Sequence, residues 1–277
     1  MADYTSAAST SGQILSTGGM VGLVFLIAFV AEALYTATKE SAERFQTLID
    51  YTASAEDMTL VIHQDQSKYP DAKPIGLSMN ERTGIEFAYS FYLYVHPSTF
   101  TGNAVLKHVF HKGYGCPWPL MGPGVFIKGE TNAMRIFMNT YANPYSYVDI
   151  NNIPVQKWFH VVLNCYKGGL DVFVNGHLAN RVSFRNTLPY QNFQDIILFS
   201  NANYNRFKGS TIPALKEENF DIEGSFRGYL SNLIYARYAL SVSEIQNLMH
   251  RGPASKLKQK NLDKPPYLAD DWWAHQT

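Results

Sequence analysis

A chain of 277 residues with 23 basic and 23 acidic side chains carries no formal net charge, which excludes a charge-driven binder of nucleic acid or another polyanion. Phe, Trp and Tyr supply 14% of the residues, enough for one large core of packed strands with appendages rather than several small domains. The two cysteines, Cys116 and Cys165, are too few for a disulfide framework, and a single bridge between them stays open.

Residues 1–13 are small and polar and read as a flexible end. The character changes at Ile14. No charged residue occurs from there to Val30, and Val21, Leu23, Val24, Phe25, Leu26, Ile27, Phe29 and Val30 build an apolar run that reaches Leu34 with Glu32 as its interruption. About 20 helical residues cross the hydrocarbon layer, so this stretch predicts a transmembrane helix and a lipid bilayer as partner. A signal peptide needs a basic region in front, whereas Asp3 is the charged side chain there. Beyond the run, Lys39/Glu43 and Glu40/Arg44 have the spacing of paired charges on one helix face. Anchor and juxtamembrane helix together are assigned residues 14–52. Basic residues on the C-terminal flank alone place the following domain on the cytoplasmic side. The absence of an Asn-x-Ser/Thr acceptor site agrees with that side.

Residues 53–252 read as one antiparallel β-sandwich. Met58–Ile62 is a short strand. From Gly84 to His96, Ile85, Phe87, Tyr89, Phe91, Leu93 and Val95 alternate with a second set, so one face is core. Strands follow at 104–110, 125–128, 134–139 and 145–150. Next comes a meander: Trp158–Tyr166, a Gly168-Gly169 break, Leu170–Val174, and an Asn175-Gly176 break. Both breaks are expected to supply the positive φ of tight hairpins. Asp195–Ser200 is a further strand, and residues 201–218 form a long polar connection whose Asn201, Asn203, Tyr204 and Asn205 have the composition of a ligand loop. Ser241 to Glu244 is a capping box opening a short C-terminal helix with Val242, Ile245, Leu248 and Met249 on one face, stopped at Gly252-Pro253.

Residues 253–277 form an extended arm. Lys256, Lys258 and Lys260 precede Pro265, Pro266 and Tyr267, and Trp272 and Trp273 close it. Adjacent tryptophans need a surface to cover them, either this domain or a neighbouring protein, and the lysines suit anionic headgroups.

The Trp-x-His-Val strand at Trp158, the Gly-Gly turn, Leu170-Asp171-Val172-Phe173-Val174 and Asn175-Gly176 resemble the central hairpins of laminin-G-like domains. Phe226 to Tyr235, followed by Ala239-Leu240-Ser241 and Glu244-Ile245, is similar to that family's closing strand and helix. The resemblance spans residues 58–252 and implies a concanavalin A-like jelly roll. It implies no particular ligand. Such domains often hold a rim calcium, for which Asp149, Asp171 and Asp221 are candidates by type, but no Asp-rich loop clusters them and no cofactor is assigned.

Related glycoside hydrolases place acids in the pattern Glu-x-Asp-x-Glu. Here Asn219-Phe220-Asp221-Ile222-Glu223 starts with Asn, which cannot be the carboxylate nucleophile. His108, His111 and Cys116 lack a fourth metal ligand, and in a regular strand the two histidines point to opposite faces. The expectation is therefore a non-enzymatic, membrane-anchored structural or adhesive protein linking a bilayer to a protein assembly. In layout it resembles the minor capsid proteins of large double-stranded DNA viruses that join an internal membrane to the capsid of the virion. The alternative is a membrane-anchored lectin that binds a glycan, and a hydrolase stands further off.

Overall fold

The computed structural model describes residues 19–36, 45–78, 85–185, 187–204 and 221–257. The chain divides into two units, Met1–Phe45 and Gln46–Thr277.

In the first unit, α1 (Gly19–Thr36) is a helix of 18 residues with mean hydropathy 2.0 and none of it buried. At about 1.5 Å per residue it is about 27 Å long, close to the thickness of a hydrocarbon core. It is thus apolar enough and long enough to cross a membrane. Phe25 and Phe29 point outward along it, and the Thr36 hydroxyl donates back to the carbonyls of Glu32 and Ala33 at 3.0 Å. Ile14 and the charged residues 39–44 lie outside the described residues.

In the second unit the chain runs through β1 (Phe45–Ser54), β2 (Leu60–Ile62), β3 (Phe87–Val95), β4 (Leu106–Gly113), β5 (Met121–Lys128), β6 (Ala133–Met138) and β7 (Ser146–Asn151). It continues as β8 (Trp158–Tyr166), β9 (Gly169–Val174), β10 (His177–Ser183), β11 (Ile196–Leu198), β12 (Asn203–Tyr204), β13 (Ile222–Ser225), β14 (Gly228–Ala236) and the helix α2 (Val242–Arg251). These form a jelly-roll-like antiparallel sandwich. One sheet has the order β1-β14-β3-β8-β9-β10, and the other has β12-β13-β4-β5-β6-β7 with β11 and β2 added beside β4. One edge of β4 is shared: Leu106 and His108 pair in parallel with β13, whereas Phe110 to Lys112 pair antiparallel with β11.

The alternation of β3 is realised, since Phe87, Tyr89, Phe91, Leu93 and Val95 all lie in the core between the sheets. Across that core Phe91 meets Phe110 edge to face at 5.1 Å. Each such ring, fully buried, contributes on the order of 2–3 kcal/mol by its removal from water. α2 covers the outer face of the six-stranded sheet. Ile245 and Leu248 are buried beneath it, but Val242 is 63% exposed and does not share that face. The predicted capping box is present, with Ser241 accepting from the Glu244 N–H and Glu244 reaching back to the Ser241 N–H.

Three expectations are corrected. Residues 45–52, assigned to a juxtamembrane helix, belong to β1. Its Leu48, Ile49 and Ala53 are core residues, and its partners are distant in sequence: Ala55 N–H donates to Gly228 O at 2.9 Å and Thr52 to Ser231 Oγ at 2.9 Å. The start of the expected arm docks on the same strand, where Thr52 N–H donates to Lys256 O at 2.7 Å and Thr52 bridges Leu257 in parallel. The sandwich therefore extends past both limits of 53–252, and Lys256 is part of it. Finally, the two meander turns differ. Asn175 and Gly176 have φ of 49° and 77°, the left-handed pair of a tight hairpin. Gly168 and Gly169 are not in that region. Gly169 is needed instead for close packing, because a Cβ there would sit 2.3 Å from Val182 O. Lys258, Lys260, Pro265, Pro266, Tyr267, Trp272 and Trp273 lie outside the described residues.

Candidate functional site

At the end of the sandwich where β1 and β3 finish and β14 begins lies a polar cleft of about 390 Å³. Separate segments build it. Ala55 and Glu56 follow β1, Ser98, Thr99 and Thr101 follow β3, Lys107 comes from β4, Asn201 follows β11, and Glu223 to Arg227 join β13 to β14. A short 3-10 helix, Pro97–Thr99, is fixed by the His96 side chain, which accepts from the Ser98 N–H. Thr99 Oγ1 donates to Arg227 O at 2.9 Å and accepts from Arg227 N–H at 3.0 Å, so this rim is stitched to β14. Gly224, at φ 62°, turns the chain along the opposite wall.

Two ion pairs line the cleft. Lys107 Nζ lies 3.1 Å from Glu223 Oε2 and also donates to Glu223 O at 2.9 Å, while Arg227 approaches Glu56 at 3.7 Å. The Lys107 side chain is 11% exposed, whereas those of Glu223, Arg227 and Glu56 are 49%, 56% and 61% exposed. Three charged groups are thus free to re-pair with a ligand at little cost, because exposed pairs contribute at most about 1 kcal/mol. With Ser98, Thr101 and Asn201, the cleft offers donors and acceptors of both charge signs. That set suits a neutral, hydroxyl-rich or zwitterionic ligand.

The predicted ligand loop is divided by the fold. Asn201 lines the cleft. Asn203 and Tyr204 form β12 against Glu223 and Ile222, and the Tyr204 hydroxyl turns away to donate to Gly115 O at 2.7 Å. Asn205 and Asn219 lie outside the described residues. Of the acidic pattern, Glu223 is held by Lys107, and the backbone of Asp221 accepts from Leu106 N–H at 2.8 Å.

The outer face of the eight-stranded sheet is the second feature. Leu106, Trp118, Met121, Phe126, Phe137, Tyr145 and Ile222 form a separate buried cluster there. The β4–β5 connection, residues 114–120, folds over the sheet as a flap, with Trp118 stacked on Phe126 at 6.3 Å and Tyr145 donating to Trp118 O at 3.0 Å. Beyond the flap, Asp149 receives two hydrogen bonds of 2.7 Å from Arg135 and lies 3.2 Å from Lys128. Burial raises the Asp149 carboxyl, but these cations outweigh it and hold the group below the usual carboxylate range. Arg135 also sits 4.2 Å over the Tyr147 ring. Asp171 is likewise taken, by Arg181 at 2.5 Å and 2.7 Å. Two of the three carboxylates considered for calcium are thus held by guanidinium groups, and no set of three potential ligands clusters among the described residues.

His108 and His111 do not point to opposite faces. Irregularities in β4 between His108 and Phe110 and between His111 and Gly113 rotate the strand, so that His108 Nε2 lies 2.7 Å from His111 Nδ1. Cys116 is half-buried on the flap and Cys165 is buried in the core, and neither is bridged. Apart from Asn201 and Glu223, the cleft lining was missed in sequence because it comes from segments as far apart as Ala55 and Arg227. The bulges gave no local signal.

No family model matches the chain, and no curated protein matches it. Solved structures do. The receptor binding domain of botulinum neurotoxin D is 9% identical, covers 76% of this chain and 48% of its own, and superposes with a TM-score of 0.50. A second structure of the serotype D binding domain is 10% identical, with coverages of 76% and 47% and a TM-score of 0.50. This chain spans about half the length of those solved chains. At such identities the likeness shows the fold, a β-sandwich of the jelly-roll type, and nothing of the ligand.

Proposed function

We propose that this is a membrane-anchored adhesive protein without catalytic activity, in which α1 holds a bilayer and the sandwich binds a partner at the polar cleft. The observation that carries the reading is the lining of the cleft, where the exposed charges of Glu56, Glu223 and Arg227 stand beside Ser98, Thr101 and Asn201. The basic flank of α1 favours a cytoplasmic domain, hence a neighbouring protein as partner. Asn219 stands where related hydrolases carry the carboxylate nucleophile, which supports binding rather than hydrolysis.

A lectin-like form of this reading is favoured by the lining itself, whose hydroxyl, amide and charged groups match the hydroxyls of a sugar. The binding domains that share the fold accord with adhesion. They lend nothing to a viral capsid role, which rests on layout alone. The test is a glycan array probed with the full chain in detergent, with Arg227→Ala, Glu223→Gln and Asn201→Ala beside it. Glycan signals that these variants abolish establish the lectin form. An array without signals leaves the protein partner, and glycan binding indifferent to all three variants would sink the cleft as the site.

A further inference from the structure

We infer that His108 and His111 are an acid-released latch, which holds the 114–120 flap over the aromatic outer face of the eight-stranded sheet at neutral pH and frees it on acidification. The hydrogen bonds fix both tautomers. Ser200 N–H donates to His108 Nδ1 at 3.0 Å, so the His108 proton is on Nε2 and is donated to His111 Nδ1 at 2.7 Å. His111 then carries its own proton on Nε2 and donates it to Tyr114 O at 2.7 Å, at the base of the flap. Every ring nitrogen is used, both rings are neutral and both residues are 0% exposed. A further proton has no site: on His111 Nδ1 it would face the His108 N–H, and on His108 Nδ1 it would face the Ser200 N–H.

The surroundings do not offset an added charge. β5 presents the Phe126 ring, 5.5 Å from His108, and Gly124 opposite His111. β11 presents Ile197 opposite His111, and β13 presents Ser225 beside His108. The neighbouring Lys112 ammonium is directed to Gln194 O at 2.5 Å. Among the flap's other contacts the titratable groups are Cys116 and the hydroxyls of Tyr145 and Tyr204. No carboxylate is among the described partners of either ring. Burial accordingly holds His111 at about 4 and His108 well below the ordinary histidine value.

An imidazole freed into water regains a pKa near 6.5, so acid favours the open flap through His111 alone by about thirtyfold at pH 5 relative to pH 7.5. Opening uncovers Phe126 and Phe137, which Trp118 now covers. The ties from Tyr204 and Tyr145 to Gly115 O and Trp118 O set how far the closed state is favoured at neutral pH.

Hydrogen exchange of the full chain in detergent, corrected for the intrinsic pH dependence of exchange, tests the latch. Between pH 7.5 and 5.0 the protection of residues 114–120 is expected to fall about thirtyfold through local opening, and His160→Gln, which removes a buried imidazole elsewhere in the sandwich, is expected to leave that fall unchanged. His111→Gln can accept from His108 and donate to Tyr114 O without titrating, and it is expected to flatten the response. Tyr204→Phe removes the tie to Gly115 O without touching either histidine, so it is expected to lower protection equally at both pH values. The latch is overturned if flap protection changes less than threefold in the unaltered chain, if His160→Gln abolishes the fall, or if His111→Gln keeps the full response.

Discussion

Ser90 Oγ and His160 Nε2 lie 2.7 Å apart on β3 and β8, beneath α2, with the His160 ring 4.8 Å from that of Tyr92. The Tyr92 hydroxyl in turn donates to Met249 O, with Leu248 O at 3.1 Å, and accepts from Gly252 N–H at 3.1 Å. A neutral imidazole is thus sealed under the helix that closes this face of the fold. Burial holds it at about 4.

Stability is therefore expected to fall with acid. The unfolded chain takes up protons on His160, His111 and His108 below about 6.5, while the native state resists them down to about 4 on the first two and well below the ordinary histidine value on His108. Stability is complete above pH 6.5 and declines through the window below it, by about 2 kcal/mol per histidine at pH 5. Denaturant unfolding of the full chain at pH 7.5 and 5.0 checks this, and His160→Gln is expected to remove about a third of the loss. Equal stability at both values would contradict the burial of these rings.

Two ion pairs are expected to differ in worth. Arg135 is 4% exposed, and its loss leaves Asp149 half-buried with Lys128 alone, so Arg135→Ala is expected to cost about 2–3 kcal/mol. Arg227 and Glu56 are both exposed, and Arg227→Ala is expected to cost less than about 1 kcal/mol. Thermal melts of the two variants side by side decide the ordering, and a larger loss at Arg227 would reverse it.

Gly228 combines φ of 148° with backbone contact, since a Cβ there would stand 1.9 Å from Tyr94 O. Gly228→Ala must push β14 away from β3 at the edge of the cleft. A loss of about 3 kcal/mol or more is expected, or no folded protein at all. A melt within 1 kcal/mol of the parent would show that this rim yields.

What the sequence disclosed and what it hid divide by the range of the interactions. The alternation from Phe87 to Val95, the Asn175-Gly176 turn and the Ser241/Glu244 capping box are local rules, and each appears in the structure. β1 was misread because its strand identity comes from Ser231 and Gly228, far along the chain. The meeting of His108 with His111 depends on irregular pairing that no period-2 pattern reveals. The cleft was half visible: Asn201 and Glu223 were singled out, for different reasons, but Lys107, Arg227 and Glu56 acquire meaning only once the rim brings them together.

In the anchored form proposed above, the side of the membrane on which this rim faces governs which partner it can meet. Lys39 and Arg44 follow the apolar run, and no basic side chain precedes it, so the sandwich is expected on the cytoplasmic side. Protease protection of the full chain in sealed microsomes tests this, because a cytoplasmic domain is digested without detergent, while a lumenal one survives until detergent is added. The compact sandwich resists cutting within its strands, so cleavage is best scored by loss of an epitope placed after Thr277. Digestion would leave extracellular glycans out of reach and make the cleft a protein-binding rim. Protection would mean that Glu40 and Glu43 offset the basic flank, and the lectin form of the proposal would then take precedence over the protein-binding one.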